Sequence, residues 1–195
     1  GTTDNMTINN YGTIFATDSD NAGTNTIKSD DNSTNVTINN FKGGHIYHTS
    51  ASAVVVAGGS ATLTNSGTIE NKAGPENYAI RIAGSGVTVT LKDSGKVIGK
   101  INVADSGHTI KLQHGAGQGY YYDIDGNGTY TLQDLDGNPV VKGSAGSVGQ
   151  GGNEMVDEEL GYKSISLRNS LVRYQQSDEF SKRDKGWGEI TTSFL

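Results

Sequence analysis

The amino-acid sequence predicts an all-β fold, a right-handed parallel β-helix, from three observations. A short motif recurs four times in the first hundred residues. Each copy alternates apolar and polar residues with a period of two, as half-buried strands do. The composition is polar, with 33% hydrophobic residues and 28 glycines, which suits a thin core in which one residue in two is buried.

The repeated motif defines the coils of the predicted β-helix. Its copies begin at Met6, Val36, Ala61 and Val89, and each is followed by a turn rich in Asn, Asp and Gly. The copies align with spacings of 30, 25 and 28 residues on Ile8, Ile38, Leu63 and Leu91. Two or three short strands per repeat describe one coil of a solenoid, so we expect coils over residues 1–114. The same alignment predicts one side-chain column at a bend, made of Asn10, Asn40, Asn65 and Asp93.

Charge and cysteine content limit the classes of function. The net charge is −6 and no basic stripe is present, so the chain is not expected to bind nucleic acid, which requires neutralisation of phosphates. There is no cysteine, and stability must therefore come from the repetition itself and not from disulfides.

The pattern changes after about residue 115. Aromatic strands separated by Gly- and Asn-rich turns predict an antiparallel β-hairpin region over 115–143, which would cap the open edge of the last coil. Residues 144–154 form a Gly/Ser linker by composition. An amphipathic helix is then predicted over 155–180, and its apolar face carries Leu160, Leu167, Leu171 and Tyr174. Residues 181–195, with Trp187, are predicted to begin a further strand.

The order of these segments resembles that of type V autotransporters. A β-helix, an aromatic cap, a Gly-rich linker, a helix containing Leu167-Arg-Asn-Ser-Leu171 and a Trp187 strand are similar to a pertactin-like or adhesin-type passenger that runs into its translocator barrel. The resemblance implies a surface-display stalk of an adhesin or virulence factor on a Gram-negative outer membrane, or secreted after cleavage. It implies that the chain's own outer-membrane barrel is a partner, that 155–180 is a linker helix, and that 181–195 starts the barrel. It also implies an autochaperone-like folding core, with Tyr120, Tyr121, Tyr122, Tyr130 and Leu132.

One stretch fits the pattern of a calcium-binding loop. Asp123, Asp125 and Asn127 stand at the first, third and fifth positions, Gly128 at the sixth, and Asp134 at the twelfth. Both flanks read as strands, so Asp-Gly-Asn-Gly is equally the chemistry of a hairpin turn. Calcium is the one cofactor that the sequence offers.

An enzyme is the alternative that the fold class raises, because many β-helices are carbohydrate-active enzymes or phage tailspikes. Such sites need clustered carboxylates on one face. The acidic residues of the first coil are predicted to lie in a solvated loop; they are Asp18, Asp20, Asp30 and Asp31. No enzymatic activity is therefore expected. A host-cell or self-association surface remains open, through the Thr/Asn ladders and the loops at 15–35 and 70–78.

Overall fold

The computed structural model describes residues 4–17, 24–140, 145–147 and Ser164. The chain divides into two units, Gly1–Gln150 and Gly151–Leu195, and the described strands all lie in the first. Most of the predicted linker 144–154, the predicted helix 155–180 and the barrel strand 181–195 lie outside the described residues. The same holds for the predicted helix face of Leu160, Leu167, Leu171 and Tyr174. Among the described residues, no helix has the length and hydropathy needed to cross a membrane.

The described strands follow one another as successive coils, three strands to a coil. The first coil contains β1 (Thr7–Asn10), β2 (Thr13–Ala16) and β3 (Ile27–Lys28), and the second contains β4 (Thr37–Asn40), β5 (His45–His48) and β6 (Val54–Val56). The third contains β7 (Thr62–Asn65), β8 (Thr68–Asn71) and β9 (Tyr78–Ile82), and the fourth contains β10 (Thr88–Lys92), β11 (Lys96–Ile98) and β12 (Lys100–Val103). The chain continues through β13 (His108–Gln113), β14 (Tyr120–Tyr122), β15 (Ile124–Asp125), β16 (Tyr130–Asp134) and β17 (Ala145–Ser147).

Corresponding strands of successive coils pair in parallel and form three long sheets. Sheet A runs β1-β4-β7-β10-β13-β16, sheet B runs β2-β5-β8-β11, and sheet C runs β3-β6-β9-β12-β15. The described strands therefore form a parallel β-solenoid, in which four coils contribute a strand to each of these three sheets. The parallel β-helix expected from the repeat is confirmed, and its right-handedness stays a prediction.

The core is a set of inward columns that run from coil to coil. Sheet A stacks Ile8, Ile38, Leu63, Val89, Ile110 and Leu132 in register. Sheet C stacks Ile27, Val54, Ile80, Ile101 and Ile124. In the middle coils these side chains are completely buried, whereas Ile8 and Leu132 at the two ends are only partly buried. Each coil therefore depends on the coils on either side of it for its burial, as expected for a solenoid.

The predicted alignment of the fourth repeat is wrong by two residues. Val89, and not Leu91, lies opposite Leu63, while Leu91 lies opposite Asn65. A strand with period-two alternation keeps its apolar side chains inside after a shift of two, so the sequence alone could not distinguish the registers. Asp93 is consequently not part of the Asn column; it lies in the following turn with a positive φ of 55°.

The predicted antiparallel hairpin region over 115–143 is also corrected. β15 pairs in parallel with β12, and β16 pairs in parallel with β13, so the solenoid ladder continues beyond residue 114. Among the described strands, the one antiparallel pair is β14 with β17, and β17 falls inside the predicted linker. The turn at 125–128 is a corner of the solenoid: a Cβ on Gly126 or Gly128 would meet the backbone of Val103 or Asp105 in the preceding coil. Glycine is required there for close stacking, and the same residues would have suited a hairpin.

Candidate functional site

A ladder of buried amides marks the end of sheet A in the first three coils. Asn10 Nδ2 donates to Asn40 Oδ1 at 2.8 Å, and Asn40 Nδ2 donates to Asn65 Oδ1 at 2.8 Å. The ladder ends with Asn65 Nδ2, which donates to the carbonyl of Lys96 at 3.1 Å. Because every amide is paired along the column, three buried polar side chains are accommodated in the core. The predicted Asn column is correct for these three residues.

An aromatic cluster of His114, Tyr120 and Tyr122 lies where the chain leaves sheet A in the fifth coil. The Tyr122 ring is buried, and its hydroxyl donates to the carbonyl of Gly95 at 3.2 Å and lies 2.9 Å from His114 Nε2. Burial raises the pKa of the Tyr122 hydroxyl. His114 Nδ1 bonds the carbonyl of Asp93 at 2.8 Å, so the cluster ties the fifth coil to the turn between β10 and β11.

Asp134 connects the aromatic cluster to the last described turns. Its carboxylate accepts bonds from the Tyr120 hydroxyl at 2.7 Å and from the backbone N–H groups of Asp136 and Asn138 at 2.8 and 3.0 Å. Burial raises the pKa of Asp134, but these bonds outweigh it and hold the pKa below its ordinary value. Burial, followed by the bond to Asp134, raises the pKa of Tyr120.

The turn after β16 is bonded in the same way to the turn after β13. Asp136 Oδ2 accepts from the Gly115 N–H at 2.7 Å, and Asn138 Oδ1 accepts from the Gly117 N–H at 2.8 Å. Asn138 is itself buried. The bond to Asp136 is charge-assisted, and together the two bonds hold the stacked turns of the C-terminal coils.

The residues predicted for the folding core divide into two groups. Tyr122 is in the buried core, and Tyr120, Tyr130 and Leu132 pack against it. Tyr121 is 68% exposed and takes no part in that packing. Sequence reasoning missed His114 and Asn138, which carry the hydrogen bonds of this end. Their signal was a spacing of 21 to 23 residues to Asp93 and Gly115, which becomes visible only once the coil length is known.

The structure does not gather the predicted calcium ligands into one site. Asp125 accepts a hydrogen bond from Asn102 at 3.3 Å, and Asp123 Oδ2 lies 3.9 Å from Lys100 Nζ. The Asp134 carboxylate accepts its hydrogen bonds from Tyr120, Asp136 and Asn138. Asn127 is exposed in the corner. Within the described ranges, no group of three or more His, Asp or Glu side chains is placed to hold a metal ion. Calcium binding at this solenoid corner stays a prediction.

Two buried histidines are integral to the core. His48 and His108 are almost fully buried, and in each the Nε2 atom has no hydrogen-bond partner among the described residues. His48 Nδ1 accepts from the backbone N–H groups of Ser50 and Ala51 at 3.1 and 2.8 Å, which assigns the proton to Nε2. His45 and His48 both lie in β5, and His45 faces outward, where its Nε2 atom is 2.8 Å from Glu70 Oε2.

Aromatic side chains stack on the outside of the first two coils. The rings of Tyr11 and Phe41 lie 4.4 Å apart with an angle of 2° between their planes. Phe15 and Tyr47 are stacked at 5.2 Å, and the Lys72 ammonium lies 3.6 Å from the centre of the Tyr47 ring. These contacts line up because outward side chains repeat in register from one coil to the next.

The outer surface of the described coils contains grooves with polar linings. One, of about 380 Å³, lies between Phe41 and the Lys92–Asp93 turn and includes Asn39, Thr64 and Ser66. Another, of about 320 Å³, lies between the turns after β5 and β8. Its polar lining includes Asn25, Asn77, Tyr78 and Arg81.

The described side chains thus provide structural hydrogen-bond networks and surface grooves. Comparison with protein-family models, with curated proteins and with solved structures finds no match to this chain.

Proposed function

We propose that this chain is a passenger segment of an autotransporter, in which the solenoid is a surface-display stalk and the C-terminal coils are the folding core. The observation that carries the proposal is the bonding of the last coils. Tyr122 and His114 join the fifth coil to the fourth through the carbonyls of Gly95 and Asp93, and Asp134 joins the sixth coil to the fifth through Tyr120. A parallel solenoid can grow from such a nucleus one coil at a time, because each new coil needs only its neighbour.

Three further features support this proposal. The chain has no cysteine, so it can be threaded unfolded through a pore without crosslinks. Its core is thin and repetitive, and it forms progressively as coils are added. Among the described residues, no group of three or more His, Asp or Glu side chains is placed to hold a metal ion, and the proposal assigns the chain neither an enzymatic activity nor a cofactor.

In this proposal the partner is an outer-membrane barrel that follows the passenger, and the location is the surface of a Gram-negative cell or the medium after cleavage. The test is a chain with a translocator barrel fused after Leu195, carrying Tyr120→Ala and Tyr122→Ala together. We expect passenger labelling on intact cells to fall severalfold while the amount of inserted barrel is unchanged. Tyr121→Ala is the matched control, because Tyr121 is exposed. Normal display of the double variant would contradict the proposal.

A saccharide-binding solenoid of the tailspike type is the second candidate. The grooves on the outer surface favour it, since a display stalk does not require them. A tailspike-type protein is a trimer, so sedimentation of the chain separates the two: a monomer favours the passenger, and a trimer favours the tailspike type.

A further inference from the structure

The outer aromatic column that begins with Tyr11 and Phe41 is missing its third ring. The Phe41 N–H bonds the Asn10 carbonyl at 2.9 Å, and the Ser66 N–H bonds the Asn40 carbonyl at 2.8 Å. Tyr11, Phe41 and Ser66 therefore occupy the same position in three successive coils. Ser66 is too small to continue the stack, so the side of Phe41 that faces away from Tyr11 borders the groove of about 380 Å³.

The groove has room for a ring at the empty position of the column. Successive coils are about 4.8 Å apart, and Tyr11 and Phe41 lie 4.4 Å apart with parallel planes. A flat ring placed above Ser66 would lie at the same distance from Phe41 and would be covered on its other side by the turn of Lys92 and Asp93. A volume of this size falls within the range of small-molecule sites.

Polar and charged side chains surround the position of the missing ring and form the rim of the groove. Asn39 and Thr64 face outward from β4 and β7, and Lys42, Lys92 and Asp93 complete the lining. The Ser66 hydroxyl donates to Asp93 Oδ2 at 3.1 Å, which fixes that carboxylate at the floor. An aromatic face with amide, hydroxyl and charged groups around it suits a ring that is apolar on its face and hydroxylated on its edge. Lys92 Nζ lies 3.6 Å from Asp93 Oδ2, so these two charges offset each other and Lys42 leaves the rim with one net positive charge. That charge favours a ring that carries an acidic group.

We propose that the groove between Phe41 and the Lys92–Asp93 turn binds a pyranose ring of an acidic saccharide. The ring stacks on Phe41, and its hydroxyl and carboxylate groups bond to the polar rim. This site would give the solenoid a binding activity of its own, and it does not depend on how the chain is secreted.

The decisive variant fills the missing position with a ring. Saturation-transfer NMR with methyl β-glucuronoside measures binding to the wild-type chain and to Ser66→Tyr. We expect binding by the wild type and at least a tenfold weaker signal from Ser66→Tyr, because the new side chain occupies the ligand's place. Tyr121→Ala, at an exposed position that does not line the groove, keeps binding within about twofold of the wild type. Phe41→Leu, which removes the stacking surface but retains volume, loses binding as Ser66→Tyr does.

Folding of each variant is checked by its thermal unfolding midpoint, so that loss of binding is not confused with loss of structure. Phe41→Leu serves as the second test if Ser66→Tyr does not fold. The proposal is overturned if the wild-type chain gives no saturation transfer to the glucuronoside. It is equally overturned if folded Ser66→Tyr or folded Phe41→Leu binds as well as the wild type.

Discussion

The N-terminal and C-terminal coils use the same inward column of sheet A in different ways. In the first three coils the column is polar, and Asn10, Asn40 and Asn65 bond to one another. In the next two coils the same position holds Leu91 and Leu112, and it ends at Asp134 beside Tyr120. The change occurs in one step, between Asn65 and Leu91. A polar residue is thus tolerated in this column where a neighbouring coil or a turn supplies a hydrogen-bond partner. Where no such partner is available, the column holds an apolar residue.

The largest expected effect comes from interrupting the polar half of the column. Asn40→Ala removes the acceptor of Asn10 Nδ2 and the donor to Asn65 Oδ1, and so leaves one polar atom in each of two buried amides without its partner in the ladder. Each such group costs about 1–3 kcal/mol, so we expect the free energy of unfolding to fall by about 3 kcal/mol. Urea unfolding measures this change.

Asn39→Ala is the matched control for Asn40→Ala. The two residues are adjacent in β4, and Asn39 also bonds to an Asn of the previous coil, at 2.9 Å to Asn9, but that bond is exposed. Its loss should change the free energy of unfolding by less than about 0.5 kcal/mol. Equal effects of the two substitutions would show that the buried ladder has no special importance.

A corner of the C-terminal half gives the next effect. Gly128→Ala places a Cβ against the Asp105 carbonyl of the preceding coil, whereas a Cβ on Gly12 meets nothing within 4 Å. Backbone atoms cannot move aside locally, so overpacking should destabilise Gly128→Ala by about 2–3 kcal/mol. Gly12→Ala should stay within about 0.5 kcal/mol of the wild type. Chemical denaturation of both variants is the measurement, and a Gly128→Ala chain as stable as Gly12→Ala would mean that the 125–128 corner does not stack on the fourth coil.

Tyr122→Phe tests the aromatic cluster with a smaller change. The substitution keeps the buried ring and removes the hydroxyl that contacts Gly95 and His114. Loss of one such hydrogen bond should lower the free energy of unfolding by about 1 kcal/mol. Tyr121→Phe, at the exposed neighbouring position, should have no measurable effect on the same unfolding curve. If the two variants unfold alike, the hydroxyl of Tyr122 does not hold the fifth coil.

The sequence was sufficient to predict the coils, but it was not sufficient to predict the strand register in the second half of the solenoid. Ile8, Ile38 and Leu63 could be aligned because an Asn two residues later marks each copy. Leu91 could not be placed, because β10 has apolar side chains at Val89 and Leu91 and a shift of two satisfies both. The Asp-Gly-Asn-Gly corner was read as a hairpin for a related reason: a close-stacked corner and a two-residue turn require the same residues.

The candidate sites were harder to anticipate than the fold. Tyr120 and Tyr122 were predicted because they lie in an aromatic-rich segment. His114 and Asn138 form hydrogen bonds to residues of the preceding coil that are 21 to 23 positions earlier, and this spacing does not occur among the aligned repeats. The missing ring at Ser66 depends on what is stacked below it in another coil. Such a site is defined by register, and it becomes recognisable only when the coils are in place.

The smallest expected effect is a dependence of stability on pH from His108, the buried histidine of the C-terminal half. Burial lowers its pKa below the ordinary 6.5, and the nearby Asp105 only partly opposes this. Below pH 6.5 the unfolded chain therefore binds a proton at His108 that the folded chain does not, and the free energy of unfolding falls as the pH is lowered through this window. Thermal unfolding at pH 7.5 and 5.5 compares the wild type with His108→Leu, which lacks the titrating group. We expect the wild type to lose more stability than the variant between these two values, and an identical loss would contradict a role for His108.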